Sequence, residues 1–395
     1  MVLRKEHCPT MTRQTGTYQS SSVGDHEVRA FVPEPLPPSD PVLVLSPELD
    51  ALHAQTLSAI AQLRIAGSMV PSTDWFLYGF VRKEAVTTSQ IEGTQATLRD
   101  VVEFEATDKS ALPEDVEEVC NYVHALGFAR DELHKPSGMP LGLELLCITH
   151  RILMTGVRGE TARPGVVRDS QNWIGGIIPG KAIYVPPPPS EVRDLLEQLE
   201  TWIHADDPLP PLVRAGLAHV QFESIHPFLD GNGRIGRLLI ALLLEHWGVL
   251  DHPLLYISLA FKHDRLRYYE RLSAVRHRGD WEGWTAYFLE CVREAAEDGV
   301  RVAHALHALV STDRTRVVEH ENATIAAVRL MDALPTQPIV TASSVSEDLE
   351  ITSPTARKAV ELLESIGILR ETSGKQRDRV YSYTEYMRLL TGEDT

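Results

Sequence analysis

The sequence predicts a mainly helical fold in three segments, and three observations carry that expectation. Apolar residues recur at three- and four-residue spacing through most of the chain from Ser46 onward. One interval rich in Gly, Pro and β-branched residues, Gly165 to Val192, breaks that period. From about Ala323 the texture changes again, to short helices, a short strand and a hairpin. The segments are an N-terminal arm with a helical extension (1–110), a central helical core (111–315) and a small C-terminal module (316–395).

The bulk properties agree. At 395 residues and 43% hydrophobic, the chain can bury ordinary cores. Its 38 basic and 55 acidic side chains leave a net charge of −17, which argues against a protein that coats nucleic acid or anionic membrane. Cys8, Cys120, Cys147 and Cys291 are far apart and suggest neither a disulfide framework nor a Cys-based zinc site. No apolar run follows the N-terminal charges, and the longest one, Leu238 to Leu244, is too short for a bilayer. The expectation is a cytoplasmic protein without a membrane segment.

Taken in order, residues 1 to about 45 are polar, Ser- and Pro-rich, and read as an extended arm. Ser46 is a candidate N-cap, with Pro47 at the first helical position. "DWFLYGFVRKEAVTTSQIEG" reads as a helix stopped by Gly93. Thr97 to Asp100 fits a capping-box start for the next helix. Two further helices follow, around Val116–Leu126 and over "LGLELLCITHRILM". "IIPGKAIYV" reads as a small β-hairpin about Pro179-Gly180. Helices resume near Ser190.

The stretch "HPFLDGNGRIGR", His226 to Arg237, carries the chemistry. Its Gly231-x-Gly233-x-x-Gly236 matches a dinucleotide-binding pattern, but such a loop must follow a β-strand. The preceding residues, with Leu212, Leu217, Val220 and Ile225, are helical, so the Rossmann reading fails; no Gly-Lys-Ser/Thr follows, so it is not a P-loop. What remains is helix, Gly-rich loop, helix. Free amides and the helix dipole there make an anion site. Arg234 and Arg237, three apart, share a helix face. Asp230 is a hard oxygen ligand suited to Mg2+ on a nucleotide, and His226 sits where a neutral imidazole could accept a hydroxyl proton.

These twelve residues resemble the Fic family motif, HPFxxGNGRxxR with an acidic residue before the first Gly, at every position. "ARPGVVRDSQNWIGG" and "AIYVPPPP" look like the family's flap region; "PEPLPP" and "TTSQIEGT" look like an N-terminal extension found in a bacterial subgroup. The resemblance implies a protein adenylyltransferase that moves AMP from ATP, with Mg2+, to a Tyr, Thr or Ser hydroxyl of a target protein. It makes His226 the general base, Phe228 the loop's anchor and Asp230 the Mg2+ ligand. Gly231, Asn232 and Gly233 become the anion hole, Arg234 a phosphate ligand and Arg237 the γ-phosphate ligand. Thr88-x-x-x-Glu92-Gly93 resembles the family's inhibitory pattern, implying that Glu92 pairs with Arg237 and leaves ATP unproductively placed. The same cradle would serve AMP removal or transfer of another phosphate-containing group.

In the last segment, helix, strand, helix, turn, helix, hairpin is the order of a winged helix-turn-helix and resembles bacterial winged-helix modules. Arg357, Lys358, Lys375, Arg377 and Arg379 are offset by Glu361, Glu364, Glu371 and Asp378. That footprint leaves DNA binding, a homodimer and target docking all open. A nucleotide-sensing DNA-binding regulator is therefore the rival to the enzyme reading.

Overall fold

The computed structural model describes residues 13–392 apart from 24–25, 69–73, 108–112, 157–161 and 177; Cys8 lies outside the described residues. The chain opens with an antiparallel hairpin, β1 (Gly16–Val23) and β2 (His26–Pro33). The helical extension follows as α1 (Pro47–Ser68), α2 (Asp74–Ile91) and α3 (Leu98–Thr107). The central helices are α4 (Glu114–His134), α5 (Leu143–Leu153), α6 (Pro189–His204), α7 (Pro211–Ile225) and α8 (Asn232–His246). Then come α9 (Ser258–His263), α10 (Arg265–Arg278) and α11 (Trp281–Glu319). The chain closes with α12 (Ile325–Ala333), β3 (Ile339–Thr341), α13 (Ala342–Asp348), α14 (Ser353–Ser365), β4 (Arg370–Glu371), β5 (Val380–Ser382) and α15 (Thr384–Thr391).

Burial explains this order. Every residue of α7 from Leu212 to Ile225 is buried, so α7 is the central rod on which the others pack. On α8 the run Leu238 to Leu244 is buried apart from Ala241, which seals α8 against α7. The expected starts hold: the Leu49 amide donates to the Ser46 hydroxyl at 3.3 Å, and Thr97 and Asp100 cap each other reciprocally.

Two regions differ from the sequence reading. The expected arm contains the β1–β2 hairpin. β1, "GTYQSSSV", is polar on both faces and gives no strand signal by itself; the hairpin is held by β2, whose Val28 and Ala30 bury against Val185. The Phe31 amide also donates to the Val185 carbonyl at 2.9 Å. Conversely, the two strands expected in "IIPGKAIYV" reduce to one antiparallel bridge, Ile174 to Tyr184, around a single 3-10 turn at Pro179–Lys181. Gly175 and Gly176, at φ 69° and 80°, turn the chain left-handed directly after Ile174 and end the pairing.

At the C-terminal end, helices and strands occur in the expected order, and the strands form a sheet ordered β3-β5-β4. Arg357, Lys358, Lys375, Arg377 and Arg379 are exposed. The 39 residues of α11 form a rod about 60 Å long at ~1.5 Å per residue and run without a break through the boundary expected at 315. Asp313 on that rod accepts the Tyr383 hydroxyl at 2.8 Å. Leu390 of α15 fills the space beside Gly79 of α2, where a Cβ would approach it to 2.8 Å. One continuous apolar core therefore runs from Leu36 to Leu390. Among the described residues no helix is long and apolar enough to cross a membrane.

Candidate active site

The site is the loop joining α7 to α8. α7 ends at His226, a non-glycine residue in the left-handed region at φ 50° and ψ 62°. Phe228 then plunges into the core and stacks on His150 of α5, centroids 3.8 Å apart and rings 4° from parallel. His150 accepts the Gly165 amide at Nδ1 (2.8 Å), so its proton sits on Nε2, which donates to the Asp230 carbonyl at 2.9 Å. The Asn232 side chain staples the loop to itself, accepting the Phe228 amide at 2.8 Å and donating to the Phe228 carbonyl at 2.7 Å. Asn232 therefore shapes the cradle with its side chain and has only its backbone amide left for an anion.

Gly231, at φ 77°, opens α8. A Cβ there would meet Met154 Sδ at 2.8 Å and His150 Nε2 at 3.2 Å, so the loop has no room for a side chain. No side chain caps the α8 N-terminus. Its first amides carry the positive end of the helix dipole.

An anionic group already lies beside that first turn. The Glu92 carboxylate, just past the end of α2, sits so close to Gly233 that a Cβ there would be 2.3 Å from Glu92 Oε1. It is held by Arg237, whose NH2 donates to Glu92 Oε1 at 2.6 Å. Arg237 also donates from Nε to the Thr88 hydroxyl at 2.6 Å and from NH2 to the Thr88 carbonyl at 3.1 Å. Arg237 is 1% exposed and Glu92 34% exposed, so the cation is fixed in the core while its partner borders solvent.

Arg234 is placed differently. It is buried and paired with Glu118 of α4, with a further contact to Met154 Sδ at 3.3 Å. Its guanidinium lies 4.0 Å from Asp230 Oδ1, behind the loop. The sequence had no signal for Glu118, one of several acids in "PEDVEEV".

His226 is only partly exposed; its Nδ1 is buried and has no protein partner, which leaves Nε2 as the nitrogen open to the cleft. Burial, then the charges of Arg276 and Arg168, pull its pKa down to about 3, so the imidazole is neutral at ordinary pH. Glu223, one turn earlier on α7, is pushed up to about 7 by burial, partly opposed by Arg237. Glu223 was not legible as a participant, because nothing in a helical period marks a buried carboxyl as an arginine's neighbour; Thr88 was legible only as the first residue of the inhibitory pattern.

Among the described residues no group of three or more His, Cys, Asp or Glu is arranged to hold a metal by itself. Asp230 fits a different arrangement. Its side chain is 53% exposed, and only Oδ1 is drawn inward, by the Gly231 amide at 2.6 Å. One such carboxylate plus phosphate oxygens is the usual way to hold Mg2+.

Residues 51–131 match the Fic/DOC family N-terminal domain, and residues 140–244 the Fic/DOC family domain. A curated relative, Protein adenylyltransferase Fic of Drosophila erecta, is 31% identical over 150 residues, 38% of this chain and 27% of the relative. The Drosophila willistoni protein of the same name is 32% identical over 135 residues, 34% of this chain and 24% of the relative. The chain thus spans about a quarter of the length of these relatives. A solved Fic family protein from Desulfovibrio desulfuricans G20 superposes with a TM-score of 0.53 at 22% identity, covering 89% of this chain and 98% of that one. Fic-1 from C. elegans gives 0.50 at 20% identity, over 67% and 75%. At such identities the structural likeness shows the shared helical fold. The two matched stretches are the extension and the core that build this loop, so residues 51–131 resemble the Fic/DOC family N-terminal domain and residues 140–244 the Fic/DOC family domain.

Proposed function

We propose that the protein transfers AMP from ATP to a Tyr, Thr or Ser hydroxyl of a target protein, and that Glu92 holds it inactive. The observation that carries this reading is the Glu92 carboxylate lying against Gly233 and bound to Arg237 at the open start of α8. That place is built for an anion, and the anion present belongs to the protein.

In the active arrangement the triphosphate replaces Glu92. The α8 amides and Arg237 bind phosphate oxygens, with Arg237 on the γ-phosphate. Arg234, neutralised by Glu118, supports Asp230 from behind. Asp230 would hold Mg2+, which when bound offsets phosphate charge. A target hydroxyl oxygen then attacks the α-phosphorus in line. Its proton passes to Nε2 of His226, the bond from the α-phosphorus to the bridging oxygen breaks, and pyrophosphate leaves. The neutral state of His226 is what a base requires.

The test is the intact mass of the purified protein and its Glu92→Gly variant after incubation with ATP and Mg2+. A gain of one AMP on the variant, smaller or absent on the wild type, is expected. A variant that binds ATP yet adds AMP neither to itself nor to proteins of a lysate would overturn the reading.

A further inference from the structure

α7 ends in an unusual way. Four successive carbonyls at its C-terminus are all taken by side chains from elsewhere. The Glu223 carbonyl accepts Arg276 NH2 at 3.1 Å, and the Ser224 carbonyl accepts the Tyr184 hydroxyl at 2.6 Å. The Ile225 carbonyl accepts Arg168 NH2 at 3.4 Å, and the His226 carbonyl accepts Arg168 Nε at 2.9 Å. The next carbonyl, of Pro227, accepts the Arg168 backbone amide at 2.9 Å. Arg276 also donates to the Ser224 hydroxyl at 3.1 Å and lies 3.9 Å over the Tyr184 ring. Arg168 reaches on to the Pro187 carbonyl at 2.6 Å, which ties the flap to the same point.

We infer that Arg168 and Arg276, joined through Tyr184, are positioning residues for His226, locking the left-handed turn that presents the imidazole to the cleft. The inference rests on the AMP-transfer reading for what His226 does, and on the geometry alone for how it is held.

The electrostatics point the same way. A histidine at a helix C-terminus is ordinarily favoured in its charged form, because it faces the negative end of the dipole. Here those carbonyls are already occupied by two guanidiniums. Arg168 is 2% exposed, and among the described residues neither Arg168 nor Arg276 makes an ion pair with a carboxylate. Burial lowers Arg168 only to about 10, so it stays charged. The titratable and charged groups facing the turn are Arg168 and Tyr184 from the flap, Arg276 from α10, His150 from α5, Asp230 from the loop and Glu223 on α7 itself. Two cations beside the ring, together with burial, reverse the usual effect of a helix end.

α6 supplies a control. Arg214 caps its end in a similar way, donating from NH2 to the carbonyls of Trp202 (2.7 Å), Ile203 (3.1 Å) and Ala205 (3.1 Å), but the histidine at that end, His204, is bound through Nε2 to the Leu141 carbonyl at 2.8 Å and lies outside the site loop. A lysine at 214 is expected to lower the melting temperature and leave the pH profile alone.

The experiment compares Arg168→Lys, Arg276→Gln, Arg276→Lys and Arg214→Lys, all in the Glu92→Gly background. Arg168→Lys keeps the charge but loses the planar fork whose separate nitrogens reach the carbonyls of His226, Ile225 and Pro187, so kcat should fall by roughly tenfold to a hundredfold with KM for ATP unchanged. Arg276→Gln should move the acid limb of the rate profile, and the midpoint of the His226 ring resonances, upward by about one pH unit. Arg276→Lys should restore the parent midpoint. Unchanged kcat in Arg168→Lys with an unchanged midpoint in Arg276→Gln would overturn the inference. So would a loss expressed only as a higher KM for ATP. The ring titration by NMR needs no activity. A parent enzyme that transfers no AMP would therefore sink the functional reading, while the clamp was still decided by the midpoint. Should Arg168→Lys fail to fold, the two Arg276 variants carry the decision.

Discussion

The end of α7 and the start of α8 lie a few residues apart and are finished in opposite ways. At the end of α7 each carbonyl from Glu223 to Pro227 has a donor brought from the flap or α10. At the start of α8 no side chain caps the helix, and the group beside its first turn is a partly exposed carboxylate from another segment. On the proposed function, completing one end fixes the base, and leaving the other incomplete keeps a place for phosphate that the Glu92 carboxylate occupies as a switch. The two buried arginines of α8 repeat the contrast: Arg234 is closed in with a buried Glu118, whereas the partner of Arg237 borders solvent.

The largest effect expected tests the finished end. His226→Ala should reduce AMP transfer by about 10²–10⁴-fold while ATP binding, followed by calorimetry, is retained. Transfer at near wild-type rate would remove His226 from the chemistry.

Next comes the open end. Glu92→Gly should raise transfer at least about tenfold, equivalent to ~1.4 kcal/mol of competition at the phosphate site. Arg237→Met should lower it with or without Glu92, and the double variant should behave as the Arg variant alone. Initial rates for the four proteins decide this. An inactive Glu92→Gly enzyme would make the carboxylate a participant instead of an obstacle.

A smaller effect is expected from the staple between the two ends. Asn232→Ala leaves the Phe228 amide without its partner in a buried loop and its carbonyl with Asn172 Nδ2 at 3.2 Å, which should cost ~1–3 kcal/mol in denaturant unfolding. A loss within experimental error would show that the loop is held by Phe228 and His150 alone.

The smallest concerns pH. His150, His219 and His226 are lowered from 6.5 to about 4, 3 and 3, each chiefly by burial. Below 6.5 the unfolded chain takes up protons that the folded one refuses, so these groups cost stability as pH falls toward those values. Glu84 and Glu223, raised by burial from 4.5 to about 7, act oppositely: the folded chain holds their protons between 4.5 and 7. The two sets offset each other between pH 4.5 and 6.5, and below that window only the histidines act. Thermal melts should therefore be nearly flat from pH 6.5 to 5 and fall steeply below 4.5. In His219→Gln the fall should be shallower.

Much of the site was legible because it lies in one short stretch. Local chemistry placed His226, Asp230, the glycines and both arginines of "HPFLDGNGRIGR" at a helix–loop–helix junction, and the junction is there. The resemblance added Glu92 as the partner of Arg237, 145 positions away, and the ion pair is present. What stayed hidden were partners with no periodic or motif signature: Glu118, Glu223 and the meeting of Arg168, Tyr184 and Arg276 at the end of α7. The hairpin β1–β2 was missed for a related reason, since its polar strand β1 is held by pairing with β2, whose Val28 and Ala30 pack on Val185, rather than by its own pattern.

By itself the sequence determined the helices, their capped starts, the Gly-rich break before α8 and the residues available there, because these follow from spacing of three to four residues and from local backbone chemistry. Only the tertiary structure decided which arginine pairs with a buried carboxylate and which with one bordering solvent, and which groups hold the turn at His226. Those outcomes depend on α2, α4, α10 and the flap arriving at one point. Burial there makes a few long-range hydrogen bonds and charges far stronger than any local preference.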